Sequence, residues 1–287
     1  MDVRFGPAGN CELFYESGYK KTYEMPQFLH EIGLDAYEIQ CGRGVRMGDE
    51  AAAKIKDLAK EYDIALSVHA PYYISLSGID PLKRQKSIDY ILESAGLAKK
   101  AGAKRIVIHS GSCSKITRAE ALDLAIDTLK KAVLAMDEHG FSDITLCPET
   151  MGKVNQLGSL DEVIALCQID ERLIPTIDFG HLNARDCGVL KTVEDFEGVL
   201  SKIETGLGAY RAKNFHSHFS KIEYTTGGER RHLTFEDNEY GPEFEPLAEV
   251  IYKRGATPIF ICESAGTMSK DALAMQKIFR NISHEGK

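Results

Sequence analysis

Short runs rich in β-branched and aromatic residues alternate with longer amphipathic segments along the whole chain. Eight of these runs have the length and composition of buried strands. They are 3–7, 36–40, 65–70, 105–110, 144–149, 173–179, 214–219 and 257–263. Between them lie helical segments, most clearly 83–102 and 118–140, in which apolar residues recur every three or four positions. In 118–140 the apolar face comprises Leu122, Ala125, Leu129, Val133 and Met136.

This regular alternation predicts an α/β fold, a single (β/α)8 TIM barrel that spans residues 1–287. A doubly wound open sheet is the alternative, but such a sheet rarely contains eight units of this regularity. No change of composition and no linker suggests a second domain. The segment 220–241, after the seventh strand, is a long non-helical insertion, which in a compact domain is usually functional or disordered.

Composition narrows the possible classes. The chain is 43% hydrophobic and 27% charged, which is typical of a globular protein, and its apolar runs are too short to span a bilayer. The N-terminus lacks a secretion signal, and the seven cysteines form no CxxC pair. We therefore expect a cytoplasmic monomer with no membrane partner. The net charge of −8 argues mildly against a general binder of phosphate backbones, although bound divalent metals would raise the local charge.

Most of the predicted strands end in side chains that bind metals or transfer protons. In a TIM barrel the carboxyl ends of the strands meet at one face, so these side chains should converge there. They are His69, His109, Glu149, Asp178, His181, His216, His218 and Glu263, joined by His232 in the insertion. The remaining histidines, His30, His139 and His284, lie in helical or terminal segments, which favours a surface position.

A single histidine at a strand end is more often structural than a ligand, but the joint pattern predicts a metal site at the C-terminal face. Imidazoles mixed with carboxylates suit Zn²⁺, Mn²⁺ or Fe²⁺ and not a structural thiolate zinc site. One ion takes about four to six ligands, so this many donors predicts two or three ions that share a bridging carboxylate.

Five segments have the form of known motifs. They are SVHAPYYISL (67–76), VIHSGS (107–112), PETMGKVNQLGS (148–159), IDFGHLNARD (177–186) and CESAG (262–266). Together they resemble endonuclease IV, the trinuclear-zinc apurinic/apyrimidinic endonuclease family within the xylose-isomerase-like TIM-barrel superfamily. The resemblance runs over most of the chain, and the motifs are specific only in combination.

The resemblance implies how the donors divide among ions. A first ion would be held by His69, His109 and Glu149. A second would be held by Glu149, Asp178, Glu263 and a histidine of the seventh strand. A third would be held by His181 and His232.

Two positions depart from the family pattern. The seventh strand offers two histidines where the family has one. His218 is the preferred ligand because HFS fits the family motif better, and His216 would then lie behind the ligands or line the barrel. In the insertion, GERRHL places Arg230 where the family has an aspartate. Glu229 can replace that aspartate only if the loop bulges by one residue, so a two-metal site stays open as an alternative.

The resemblance also implies contacts with DNA. Tyr72 occupies the place of a tyrosine that enters the damaged duplex, and Arg43 and Arg46 lie in the loop after the second strand, where the family contacts DNA. An aromatic residue that covers the barrel mouth is an equally good interpretation of Tyr72. Arginines on loops are usually solvated, so a solvated surface position is the alternative interpretation of Arg43 and Arg46.

The leading hypothesis is a zinc-dependent deoxyribonuclease for DNA repair. It would hydrolyse the phosphodiester on the 5′ side of an abasic site in damaged double-stranded DNA, with Glu149 and Glu263 as catalytic groups. The alternative is a sugar isomerase or epimerase with one divalent ion, which would leave His69, His109 and His181 without a metal role. A third interpretation is a metal-dependent protein that binds damaged nucleic acid without turnover.

Overall fold

The barrel is built from parallel strands whose inward and outward side chains alternate. The computed structural model describes residues 2–113 and 115–285, with side chains up to Ser283, so the surface position predicted for His284 lies outside the described side chains. The barrel strands are β1 (Arg4–Pro7), β2 (Ala36–Gln40), β3 (Ala65–His69), β4 (Arg105–Ile108), β5 (Thr145–Pro148), β6 (Thr176–Asp178), β7 (His216–Phe219) and β10 (Ile259–Cys262). A hairpin of β8 (Ile222–Thr225) and β9 (Gly228–His232) follows β7.

Two four-stranded sheets close into a ring. Strands β2 to β5 pair in chain order, and the other sheet has the order β1, β10, β7, β6. Parallel bridges between Ala8 and Glu38 and between Glu149 and Thr176 join the two sheets at both edges. The predicted TIM barrel is therefore confirmed, and the open doubly wound sheet is wrong.

The helices pack around the barrel and follow its strands. They are α1 (Glu12–Glu16), a 3-10 turn (Thr22–Glu24), α2 (Met25–Ile32), α3 (Asp49–Glu61), α4 (Pro81–Ala101), α5 (Arg118–Glu138), α6 (Leu160–Cys167), α7 (Phe179–Arg185), α8 (Val193–Leu207), α9 (Ala209–Lys213), α10 (Glu245–Arg254) and α11 (Met268–Glu285). Helix α4 begins two residues before the predicted segment because Asp80 caps it and Pro81 suits its first position. None of the described helices is both long and apolar enough to cross a membrane.

The apolar core lies between the strands and the helices. Phe5 of β1 stacks on Phe260 of β10 with ring centroids 5.5 Å apart, and Phe244 meets Phe260 edge-on at 5.2 Å. On the predicted apolar face of α5, Ala125, Leu129 and Met136 are buried. The outward side chains of the strands supply this core, which leaves the inward positions near the C-terminal ends free for polar groups.

The insertion after β7 is an ordered hairpin with one irregularity. Glu223 pairs with Arg231, but the next residue, Tyr224, pairs with Glu229. Arg230 is therefore an extra residue in β9, a β-bulge. The hairpin is anchored to the loop after β5, where the Glu229 amide donates to the Gly152 carbonyl at 3.0 Å.

Candidate metal centre

The strand-end donors meet at the C-terminal face of the barrel in adjacent groups. Within each group the ligand atoms lie within 4.8 Å of one another. Among the described residues, three such groups lie side by side at the barrel mouth: His69, His109 and Glu149; then Glu149, Asp178, His218 and Glu263; then His181, Glu229 and His232. His69, His218 and Glu263 also lie within this distance of one another. Glu149 belongs to the first two groups, and His181 of the third lies 3.3 Å from Asp178 of the second, so the arrangement is continuous.

The first group surrounds one carboxylate oxygen. Glu149 Oε2 lies 3.1 Å from His109 Nε2 and 3.5 Å from His69 Nε2, and the two rings are perpendicular. Donor atoms arranged tetrahedrally about 2.0–2.1 Å from a zinc ion are roughly 3.3 Å apart. This spacing therefore fits a small divalent cation. Glu149 Oε2 is buried and makes no hydrogen bond, which also suits a ligand atom.

The second group uses the other oxygen of Glu149. Glu149 Oε1 lies 2.8 Å from His218 Nδ1, which is in turn 3.6 Å from Glu263 Oε1. Asp178 ends β6 and caps α7, because its Oδ1 accepts from the His181 amide at 2.7 Å. Its Oδ2 is buried without a hydrogen bond, so one oxygen of Asp178 remains available to a cation.

The third group depends on the bulge in β9. Glu229 Oε2 lies 3.5 Å from His181 Nε2, and Glu229 Oε1 lies 3.9 Å from His232 Nε2. Residues three apart in a regular strand face opposite sides, but the extra residue Arg230 brings Glu229 and His232 to the same side. Glu229 therefore faces the site together with His232, in the bulged arrangement that the sequence left open. Arg230 is exposed and pairs with Glu223.

Backbone contacts orient two of the histidines. His69 Nδ1 lies 2.8 Å from the Ala70 carbonyl, and His181 Nδ1 lies 2.9 Å from the Thr150 carbonyl. A carbonyl only accepts, so each Nδ1 carries the hydrogen and each Nε2 directs a lone pair toward the carboxylates when the ring is neutral. Metal-binding histidines are commonly held in this way.

In the cluster, the positive charges of the histidines balance the negative charges of the carboxylates. Burial opposes protonation of His69 and His181, but neighbouring carboxylates, Glu149 for His69 and Asp178 and Glu149 for His181, raise each pKa to about 9. Burial likewise opposes ionisation of Glu149, yet His218 and the other histidines hold its pKa well below the usual value. Burial, with Glu263 and Glu149 nearby, raises the pKa of Asp178. Protons on the histidines thus occupy the place that cations would take.

Sequence reasoning missed Glu38. This residue of β2 is fully buried inside the barrel, and it contacts His216 and His218. Burial opposes ionisation of Glu38, but the two histidines hold its pKa well below the usual value, while burial lowers the pKa of His216 to about 4. The signal in the sequence was a carboxylate in the middle of the apolar run AYEIQ, at a position that faces inward.

The structure treats the two histidines of β7 differently. His218 joins Glu149 and Glu263, as the preferred assignment expects. His216 is fully buried, and its Nε2 lies 3.0 Å from Glu38 Oε2. It therefore lines the barrel interior behind the donor groups.

The residues expected at DNA are at the mouth but not all in one cavity. Tyr72 is 61% exposed. It lines a cavity of about 310 Å³ together with His69, His109, Glu149, His181, Glu229, His232 and Glu263, and with Lys153, which sequence reasoning did not single out. Arg43 and Arg46 are exposed and line a neighbouring cleft of about 640 Å³ instead.

Comparison with known proteins identifies the family to which the chain belongs. Residues 26–279 match the family described as xylose isomerase-like TIM barrel. An uncharacterized protein of Methanocaldococcus jannaschii is 31% identical over 278 residues, 97% of each chain. A probable endonuclease 4 of Mycoplasma pneumoniae is 33% identical over 159 residues, 54% of this chain and 52% of that protein, so the match spans about half of that relative.

A solved structure of a D-tagatose 3-epimerase-like protein superposes with a TM-score of 0.71 at 18% identity, and the match covers 98% of this chain and 97% of that one. At this identity the superposition shows the fold alone. The family match covers most of the chain and the superposition agrees with it. The chain belongs to the xylose isomerase-like TIM barrel family.

Proposed function

We propose that the protein is a zinc-dependent endonuclease that hydrolyses phosphodiester bonds at abasic sites in double-stranded DNA. One observation carries the proposal: three donor groups lie side by side at one cavity, and Glu149 belongs to two of them. Two-metal and three-metal centres of this kind suit phosphodiester hydrolysis, since the substrate has both an attacking and a leaving oxygen to stabilise. Similarity to a probable endonuclease 4 over half of the chain supports the same activity.

The residues present fit divalent ions. Buried Glu149 Oε2 and Asp178 Oδ2 make no hydrogen bond, although buried oxygens usually have partners. The three groups of the candidate metal centre would hold up to three ions. Their mixture of imidazole and carboxylate suits Zn²⁺ and is also compatible with Mn²⁺ or Fe²⁺. When bound, such ions supply Lewis-acid activation of water and neutralise charge on the phosphoryl group.

The side chains around the cavity would position the attacking water and the DNA substrate. Glu149 has a histidine close to each of its oxygens, His109 at Oε2 and His218 at Oε1. Glu263 is half-buried at the cavity wall, where it would orient the attacking water. Tyr72 is exposed beside the cavity and would fill the gap left when the abasic nucleotide leaves the stack. Lys153, also at the cavity, would offset the negative charge of the chain near a phosphate.

Incision of a synthetic duplex tests the proposal. We expect the zinc-loaded protein to cut a duplex that contains a single abasic site on its 5′ side and to leave the undamaged duplex intact. His109→Ala should abolish incision, while His139→Ala, an exposed histidine at the end of α5, should not. A wild-type protein with its full complement of ions that does not cut the abasic duplex would overturn the proposal.

A sugar epimerase is the second candidate, and the size of the cavity favours it. A volume of about 310 Å³ suits a small molecule. The group of Glu149, Asp178, His218 and Glu263 would hold the single ion that such an enzyme needs. Metal analysis separates the two candidates: one ion per chain together with epimerisation of a ketose favours the epimerase, and two or three ions favour the nuclease.

We also propose that the chain acts as a monomer in the cytoplasm. Both statements stay predictions. Light scattering of the purified protein tests the first, and a fluorescent fusion tests the second.

A further inference from the structure

A polar triad inside the barrel shares His218 with the second donor group and extends behind it. It consists of Glu38, His216 and His218, each of which is fully buried. Glu38 Oε2 accepts from Ser67 Oγ at 2.9 Å and lies 3.0 Å from His216 Nε2, while Glu38 Oε1 lies 2.9 Å from His218 Nε2. Burial of an ionised carboxylate costs several kcal/mol unless it is paired, so a group this deep needs a reason.

The triad connects opposite parts of the barrel wall. His216 and His218 both point inward because they are two positions apart in β7. Glu38 reaches them from β2, which is separated from β7 in the ring by β1 and β10. Its contact with His218 therefore crosses the barrel interior and does not follow from strand pairing.

We propose that Glu38 is a positioning residue for one metal site, because it holds His218 with Nδ1 turned toward Glu149 and Glu263. This inference rests on the metal binding assumed in the proposed function. Glu38 Oε1 lies 2.9 Å from His218 Nε2 and, although the two atoms are not aligned as a hydrogen bond, its negative charge favours the hydrogen of a neutral ring on that nitrogen. The lone pair is then on Nδ1, and a nearby carboxylate makes that nitrogen a stronger donor. His216 and Ser67 engage the second oxygen of Glu38 and so prevent its rotation.

Zinc binding to the full-length Glu38→Gln variant tests the inference. Glutamine keeps the size of the side chain but removes its charge. We expect the affinity for one ion, the one at His218, to fall 10- to 100-fold in competition with a chromophoric chelator, while the other ions bind as before. With Co²⁺ in place of Zn²⁺, the absorbance of that one site should be lost first.

Glu162→Gln is the matched control. Glu162 is also a buried carboxylate, but it pairs with Arg118 away from the donor groups, so its variant should bind zinc as the wild type does. If Glu38→Gln does not fold, Ser67→Ala is the substitute, because it removes a single hydrogen-bond donor to Glu38. It should lower the affinity for the same ion by a smaller factor.

The possible outcomes separate this inference from the proposed function. Wild-type zinc affinity in Glu38→Gln, or in Ser67→Ala where only that variant folds, overturns the inference alone. An equal loss of affinity for all the ions also overturns it. A wild-type protein that binds no divalent ion overturns both, and one that binds ions without cutting abasic DNA overturns only the nuclease.

Discussion

Gly152→Ala should weaken metal binding by the third group, His181, Glu229 and His232, and leave the other two groups unchanged. A Cβ built on Gly152 would lie 2.6 Å from Glu229 Cβ, 2.9 Å from Glu229 Oε2 and 2.9 Å from His181 Cδ2. The same glycine holds the hairpin in place, since its carbonyl accepts from the Glu229 amide. An added methyl group would therefore push directly on two of the three donors in that group.

The size of the effect follows from the overlap. Carbon atoms in contact are about 3.5–4.0 Å apart, so Glu229 must move by roughly 1 Å. Overpacking of this kind typically costs about 1–3 kcal/mol. If the hairpin moves to relieve it, that free energy is lost from binding of the ion. At 1.4 kcal/mol per tenfold, the dissociation constant of one zinc ion should rise roughly 5- to 150-fold.

A competition titration with Zn²⁺ and a chelator measures this change ion by ion. Gly198→Ala is the control because a Cβ there meets nothing within 4 Å on helix α8. It should leave zinc binding unchanged and should stabilise the helix slightly. A Gly152→Ala protein that keeps the wild-type affinity for every ion would refute the role given to Glu229.

Three further predictions concern the same cavity. Glu149→Gln should weaken the binding of two ions together and reduce incision, because the two oxygens of Glu149 face different donors. If metal analysis shows the loss of only one ion, Glu149 does not bridge two ions. The pKa values of His69 and His181 are raised to about 9, so both rings are protonated at pH 7.5 and must lose protons to become ligands. Zinc affinity should therefore rise with pH up to that value, by about tenfold per unit for each proton displaced, and calorimetric heats that are the same in buffers of different ionisation enthalpy would argue against it. Tyr72→Ala should weaken binding of an abasic duplex by about 1–3 kcal/mol in fluorescence anisotropy with no change in metal content, whereas lost metal would show that it acts on the ions.

Much of the barrel could be predicted because its signals are local. Strand β2 covers the predicted residues, and the other barrel strands lie within their predicted segments. The runs of β-branched and aromatic residues in the strands and the recurrence of apolar residues every three or four positions in the helices are readable without tertiary information. Once the barrel is assumed, the convergence of His69, Glu149 and Glu263 follows from chain direction alone.

Glu38 and Glu229 could not be placed in this way. Glu38 finds its partner across the barrel, in a contact that no strand pairing specifies. Glu229 depends on a register shift in the hairpin and on a backbone bond to Gly152 from a different loop. The sequence GERRHL is compatible with both regular and bulged strand pairing, so tertiary contacts determine which pairing forms.

The spacing of Asp178 and His181 has a local explanation that bears on the whole centre. A helix that starts directly after a strand needs an acceptor for its first amides, and Asp178 provides one oxygen to the amide of His181. That bond turns the other oxygen of Asp178 toward the second group, and the first turn of α7 carries the ring of His181 to the third. One capped helix start thus serves two neighbouring groups, so a change in the cap should disturb both.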